Sequence, residues 1–92
     1  MEFEWNPEKA AINLRKHNIS FQEAAPVFDD SLSVTFPDPD YSIGKNRYVI
    51  IGMSRSGQLL VVSHTDRENR TRIISARRAT RQERRFYEEG RQ

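Results

Sequence analysis

Arg47-Tyr-Val-Ile-Ile-Gly-Met-Ser-Arg-Ser-Gly-Gln-Leu-Leu-Val-Val-Ser-His-Thr65 decides the fold. Two apolar, β-branched runs, Arg47–Ser54 and Gln58–Thr65, flank Arg55-Ser-Gly57, where glycine can supply a left-handed turn position. This pattern predicts an antiparallel hairpin. Beyond it, Asp66-Arg-Glu-Asn69 reads as a second turn and Arg70 to about Ala76 as a further strand. Before it, Leu32, Val34 and Phe36 alternate with Ser33 and Thr35, a half-buried strand that Pro37-Asp-Pro-Asp40 breaks. A polar loop then runs to Asn46.

The period is helical nearer the N-terminus. Phe3 and Trp5 alternate with polar residues as a short opening strand. Asn6-Pro7 is a helix start, with asparagine as cap and proline at the first helical position. That helix is expected to reach His17 with Ala10, Ala11, Ile12 and Leu14 inward, and Asn18 to end it in the left-handed conformation. Ser20-Phe-Gln-Glu23 is a capping box for a short second helix ending near Phe28. Thr80-Arg-Gln-Glu83 is another, for a last helix to about Glu89. The predicted fold is a small two-layer α+β domain: helices on one face of an antiparallel sheet, the other face wet and basic.

Length and composition narrow the class. Ninety-two residues, 36% of them hydrophobic, suit one domain over 1–92 with a single modest core. No cysteine is present, which excludes disulfides and thiolate metal sites and fits a cytoplasmic location. No apolar run has the length of a membrane span, and the opening Met-Glu-Phe-Glu-Trp lacks the regions of a signal peptide. Neither the histidines nor the carboxylates have metal-ligand spacing, so neither metal nor cofactor is expected. Glycine-rich phosphate loops and nucleophile elbows are absent.

Charge is divided along the chain. Residues 1–44 hold eight acids against three bases, whereas residues 45–92 hold twelve bases against five acids. Seven arginines fall within the sixteen residues from Arg70 to Arg85, with no lysine and Glu83 as the sole acid. Guanidinium is planar, permanently charged and weakly hydrated, so this density anticipates a polyanion. The competing reading is that the acidic half neutralises the basic half inside the fold.

Candidate site residues follow from this map. Pairing Thr65 with Arg70 and Tyr48 with His64 would group Tyr48, His64 and Arg77 on one face, and Arg47, Arg70 and Arg72 on the other. A one-residue slip would reverse that grouping. His64 and His17 are the histidines, and imidazole changes charge near neutral pH. His17 reads first as a cation at a helix C-terminus, favoured by the macrodipole. Glu83 reads as a capping and ion-pairing residue, Tyr87 as either a phosphate donor or core, and Trp5 as core.

Several segments together resemble the BrnT family of type II toxin–antitoxin systems. They are Phe3-Glu-Trp5 with Asn6 and Lys9, Asn13-Leu-Arg-Lys-His17, Ser20-Phe21, Glu23-Ala-Ala25 and Val27-Phe-Asp29. Arg47, Gly52, His64-Thr65, Arg72-Ile-Ile-Ser-Ala-Arg77, Ala79-Thr80, Glu83-Arg84 and Tyr87 follow in order. The resemblance spans about residues 3 to 89; Asn6 departs from it, standing where the family usually has aspartate, and either side chain caps a helix. It implies a RelE-like fold and a ribonuclease toxin that stops translation. It also implies a BrnA-like ribbon-helix-helix antitoxin that alone contacts operator DNA, with two toxins about an antitoxin dimer.

On that reading the RNA 2′-hydroxyl attacks its own phosphodiester without a metal. The step needs a proton acceptor, a proton donor and cationic stabilisation of the phosphorane. Arg72 and Arg77 are expected to hold the phosphate and His64 to move a proton, with Lys16, His17 and Tyr87 as alternatives. Arg47, Arg70, Arg78 and Arg81 are expected to bind RNA. The rival classes are a nucleic-acid-binding module that does not cut, and an interaction protein whose arginines dock an acidic partner.

Overall fold

The structure, a computed structural model, describes residues 1–40 and 46–90. Its elements are β1 (Glu2–Glu4), α1 (Pro7–His17), α2 (Phe21–Ala24) with a 3-10 segment (Ala25–Asp29), and β2 (Val34–Pro37). β3 (Arg47–Met53), β4 (Leu59–Arg67), β5 (Arg70–Arg78) and α3 (Arg81–Glu89) follow. The expected α+β class holds, with two N-terminal helices, an antiparallel meander and a C-terminal helix. The sheet order is β1-β5-β4-β3-β2, and β1 runs parallel to β5 while the remaining pairs are antiparallel. Of the expected polar loop before Asn46, residues 41–45 lie outside the described residues. Among the described residues no helix is long and apolar enough to cross a membrane.

Local signals act where the sequence carries them. The Asn6 side chain accepts from the Glu8 and Lys9 amides, and Asn18 ends α1 at φ 59°. Thr80 and Glu83 form the reciprocal capping box of α3. At α2 half of the expected box forms: Ser20 accepts from the Glu23 amide, but the Glu23 carboxylate instead accepts from Ser56 and Gln58. Gly57 turns the β3–β4 hairpin at φ +86°.

Two apolar clusters lie on opposite faces of the sheet. Ile50, Leu60, Val62, Ile73 and Ala76 pack beneath Ile19, Phe21, Ala24 and Val27 of the helical layer. Val49, Ile51, Leu59 and Val61 pack against Tyr87 of α3. The C-terminal helix therefore covers one end of the face expected to be wholly open. Its hold is specific: the Tyr87 hydroxyl donates to Asp30 Oδ2 at 2.6 Å, and that same oxygen accepts from the Met53 amide at 2.8 Å.

The inward face of α1 differs from the expected one. Ile12 and Leu14 are about half exposed, at 52% and 48%, while Asn13 is buried. The reason is the short β1, which leaves the later half of β5 without a neighbouring strand. Asn13 takes that neighbour's place: its Oδ1 accepts from the Ala76 amide, and its Nδ2 donates to the carbonyls of Ala76 and Ile19. One side chain thus satisfies strand-edge groups that would be costly to bury unpaired.

Register decides which side chains meet. Tyr48 pairs with His64 as expected. On the other side, however, His64 pairs with Ile73 and Ser63 with Ser75, so Ile74 is a bulged extra residue. A bulge reverses the side-chain alternation beyond it. Arg77 consequently pairs with Val61 and stands on the face opposite His64, which corrects the expected Tyr48–His64–Arg77 grouping.

Candidate functional site

The face away from α1 and α2 is built in cross-strand rows. Arg47, Thr65, Arg72 and Glu4 make one; Val49, Ser63 and Ser75 the next; Ile51, Val61 and Arg77 the third. With the β2 end and α3 as walls, these rows enclose a cleft of about 550 Å³. Ser63 and Ser75 lie on its floor, Arg47 and Asp38 at one side, Arg77 and Glu83 at the other.

Each arginine of this face meets a carboxylate. Arg77 donates through Nη1 and Nη2 to the two oxygens of Glu83, both at 2.8 Å. The same Glu83 carboxylate accepts from the Thr80 amide, so one acid caps α3 and aims Arg77. Arg77 holds the Glu83 carboxyl down at about 2, and the bonds from Glu83 raise the Arg77 guanidinium further above its ordinary value. Arg47 Nε lies 3.2 Å from Asp38 Oδ2, while Asp38 Oδ1 accepts from the Asp40 amide. Arg72 donates to Glu4 at 3.1 Å, the main reason the Glu4 carboxyl sits below its ordinary value. Arg67 and Arg70 also approach Glu4, at 3.7 and 3.6 Å, and Arg70 reaches Glu2 at 3.5 Å. Internal neutralisation is therefore real at the β1–β5 end. Among the described residues Arg81, Arg84 and Arg85 of α3 have no carboxylate within 4 Å.

A second, smaller groove runs along the helical side of the β5 edge. Lys9, Asn13, Lys16, His17, Ile74 and Ser75 line it. Arg78 Nη1 donates to the His17 carbonyl at 3.3 Å, tying the end of α1 to β5. Ser75 borders both depressions, so Lys16 and His17 approach from one side the strand edge that carries Arg77 on the other.

The family model described as "Ribonuclease toxin, BrnT, of type II toxin-antitoxin system" matches residues 5–83. The chain belongs to the BrnT family. Its fold is also that of the crystal structure of the Brucella abortus ribonuclease toxin BrnT, with a TM-score of 0.72 at 23% sequence identity. That match covers 88% of this chain and 99% of the Brucella one. No curated protein matches.

Within this BrnT-family fold the expected site residues do not form one cluster. Arg47 and Arg77 share the cleft; Lys16, His17 and Arg78 gather at the β5 edge; Arg81 lies exposed at the start of α3. Arg72 faces the same side of the sheet but is drawn toward Glu4, as is Arg70.

His64 and Tyr87 stand apart from both depressions. His64 is 4% exposed, its ring edge-on to Phe28 with centroids 4.8 Å apart and stacked on Tyr48 at 5.9 Å. Among the described residues neither ring nitrogen has a hydrogen bond, and Asp66 is 3.8 Å from Nδ1. Burial pushes this imidazole below its ordinary value, with Asp66 opposing in part. His64 is thus a neutral ring inside the helical layer. Tyr87 is 2% exposed and bonded to Asp30.

Ser63, Ser75 and Asp38 enter the cleft without having been singled out as site residues. The Asp38-Pro-Asp40 spacing is ordinary turn chemistry, and nothing local shows that a carboxylate there reaches Arg47. Serines in a strand carry no signal of their own.

Proposed function

We propose that this chain is an RNA-cleaving toxin that works without metal, halts translation and is neutralised by a BrnA-like ribbon-helix-helix antitoxin. Two toxins sit about an antitoxin dimer, which alone contacts operator DNA. The observation that carries this reading is the cleft itself. Two guanidiniums, Arg47 and Arg77, are held by buttressing carboxylates on either side of the Ser63–Ser75 floor.

The geometry suits a pentacoordinate phosphate. Guanidinium carries five N–H donors, and Arg77 directs three toward Glu83 and the Arg78 carbonyl, leaving two for a phosphate oxygen. A fork fixed beforehand needs no reorganisation when charge develops in the transition state. The RNA 2′-hydroxyl attacks the adjacent phosphorus and loses its proton, and the bond to the 5′-oxygen breaks as that oxygen gains one. The products are a 2′,3′-cyclic phosphate and a 5′-hydroxyl end.

Lys16 and His17 are the proton-transfer groups we favour, because the groove they line shares Ser75 with the cleft. His64 and Tyr87 leave that role, the first buried as a neutral ring and the second bonded within the fold. Arg72 is assigned to the far corner of the phosphate face, and Arg70, Arg78 and Arg81 to the RNA backbone outside it. Glu83, held near 2, is too weak a base to accept the proton at neutral pH.

The pairing of cleft arginines with acids favours one alternative, a module that binds RNA and leaves it intact. Incubating a defined RNA in excess EDTA and identifying its new ends separates the two. Cyclic phosphate ends are expected; intact RNA retained at low salt would establish the binder instead.

A further inference from the structure

We propose that Phe86, with Phe36 behind it, is a stacking platform for a nucleobase of the RNA whose phosphate lies on Arg47 and Arg77. This inference rests on the RNA reading of the cleft and adds a base-contacting subsite to it.

The observations are local and mutually consistent. Phe36 forms part of the cleft wall beside Arg47 and Val49. Phe86 stands against it with ring centroids 5.7 Å apart and planes at 86°, an edge-to-face pair. Such a pair uses the edge of one ring, so a broad aromatic surface stays open. Phe86 is 48% exposed although Tyr87, its neighbour in α3, is buried. On the helix it lies three residues after Glu83, hence on the same side, one turn beyond the acid that aims Arg77. An aromatic face one helical turn from a fixed guanidinium offers a phosphate and a base their separate partners.

Chemistry favours a base over a protein side chain as the occupant. The cleft floor is serine, its sides carry two guanidiniums that are each aimed by a carboxylate, and α3 presents Arg81, Arg84 and Arg85, which make no ion pair among the described residues. That is the composition of a single-strand nucleic-acid surface, in which cations follow the backbone and aromatic rings take bases of any identity. Preference at such a subsite comes from stacking strength, so purines should outrank pyrimidines there.

The test uses an uncleavable 2′-O-methyl oligoribonucleotide carrying 2-aminopurine, whose fluorescence falls on stacking. Wild-type protein should quench it. Phe86→Leu should bind roughly tenfold more weakly and lose the quenching, while Phe86→Trp should retain both. Arg77→Gln should weaken binding and flatten its salt dependence yet keep residual quenching. Thermal unfolding of each variant, with Phe36→Leu as a second probe of the same pair, shows whether the fold is intact. If Phe86→Leu binds and quenches like wild type, the platform is wrong and the ring belongs to a protein contact, with the RNA cleft untouched. If wild type neither binds nor cuts RNA, the RNA reading fails and the platform with it.

Discussion

One sheet presents two faces of different chemistry, and a single bulged residue in β5 sets which of them Arg77 joins. Beneath α1 and α2 the face is dry: Leu60, Val62 and Ile73 pack into the helical layer, and Phe28 and Tyr48 pack on His64, whose ring nitrogens have no hydrogen bond among the described residues. On the other face, beyond the cover of α3, Arg47, Arg72 and Arg77 each stand against an acid around two serines. The two faces alternate along the same strands, so Ile74 decides to which of them the later residues of β5 belong. Histidine near neutral pH is commonly the first residue considered for proton transfer, yet here the fold spends His64 on packing. Arginine, prone to be read as solubilising charge, is held in fixed geometry. The bulge puts Arg77 on the face that Arg47 and Arg72 share, and leaves His64 on the packed one.

Substitutions should respect that division. The largest stability loss is expected for Phe21→Ala, which empties a fully buried site in the helical layer. A cost of about 3–5 kcal/mol should appear in urea unfolding. Arg77→Ala should do the reverse: unfolding changes by less than about 1 kcal/mol, because the Arg77 side chain is 42% exposed. RNA cleavage should meanwhile fall about 10²–10³-fold through loss of transition-state charge stabilisation.

Gly52→Ala tests how closely the 3-10 segment lies on β3. An added Cβ would meet Val27 Cγ1 at 2.8 Å and the Val27 carbonyl oxygen at 3.1 Å. A destabilisation of about 1–3 kcal/mol is expected in the same unfolding assay.

Acid should weaken the faces in separate windows. Burial lowers the His64 value in the folded state, so the unfolded chain takes up the proton first. That contribution is complete above about 6.5 and declines as pH falls below it. Glu83, at about 2 when folded against an ordinary 4.5, contributes above its ordinary value and is lost as pH falls toward 2. His64→Phe should flatten the upper part of the stability–pH curve, and Glu83→Gln the lower part. The smallest effect is expected from Arg84→Ala, which should reduce the salt slope of RNA binding by about one ion and leave the cleavage chemistry unchanged.

Much of the fold is legible in short-range chemistry, and the site is less so. Asn6-Pro7, Thr80 with Glu83, and Gly57 act through atoms within a turn of themselves, so their residue types announce them. The bulge is different. Ile73-Ile74-Ser75 contains neither glycine nor proline, and nothing local marks Ile74 as extra, yet Arg77 changes face because of it. Asn13 misleads for a related reason: a polar residue is inward because a strand edge without a neighbour needs a donor and an acceptor. Tyr87 and Asp30 are 57 residues apart and meet only when α3 folds over the sheet. Arginine density points to the half of the chain that supplies both guanidiniums of the cleft. Which arginines face one another depended on register, and that is a property of pairing.

The comparison of most direct value sets Arg77→Ala against His64→Phe in one cleavage assay, with both variants shown to be folded. A site centred on the open-face cleft requires Arg77→Ala to lose about 10²-fold or more of the rate while His64→Phe stays within a few-fold of wild type. Cleavage that survives Arg77→Ala but disappears in folded His64→Phe would place the chemistry on the other face and contradict the division drawn here.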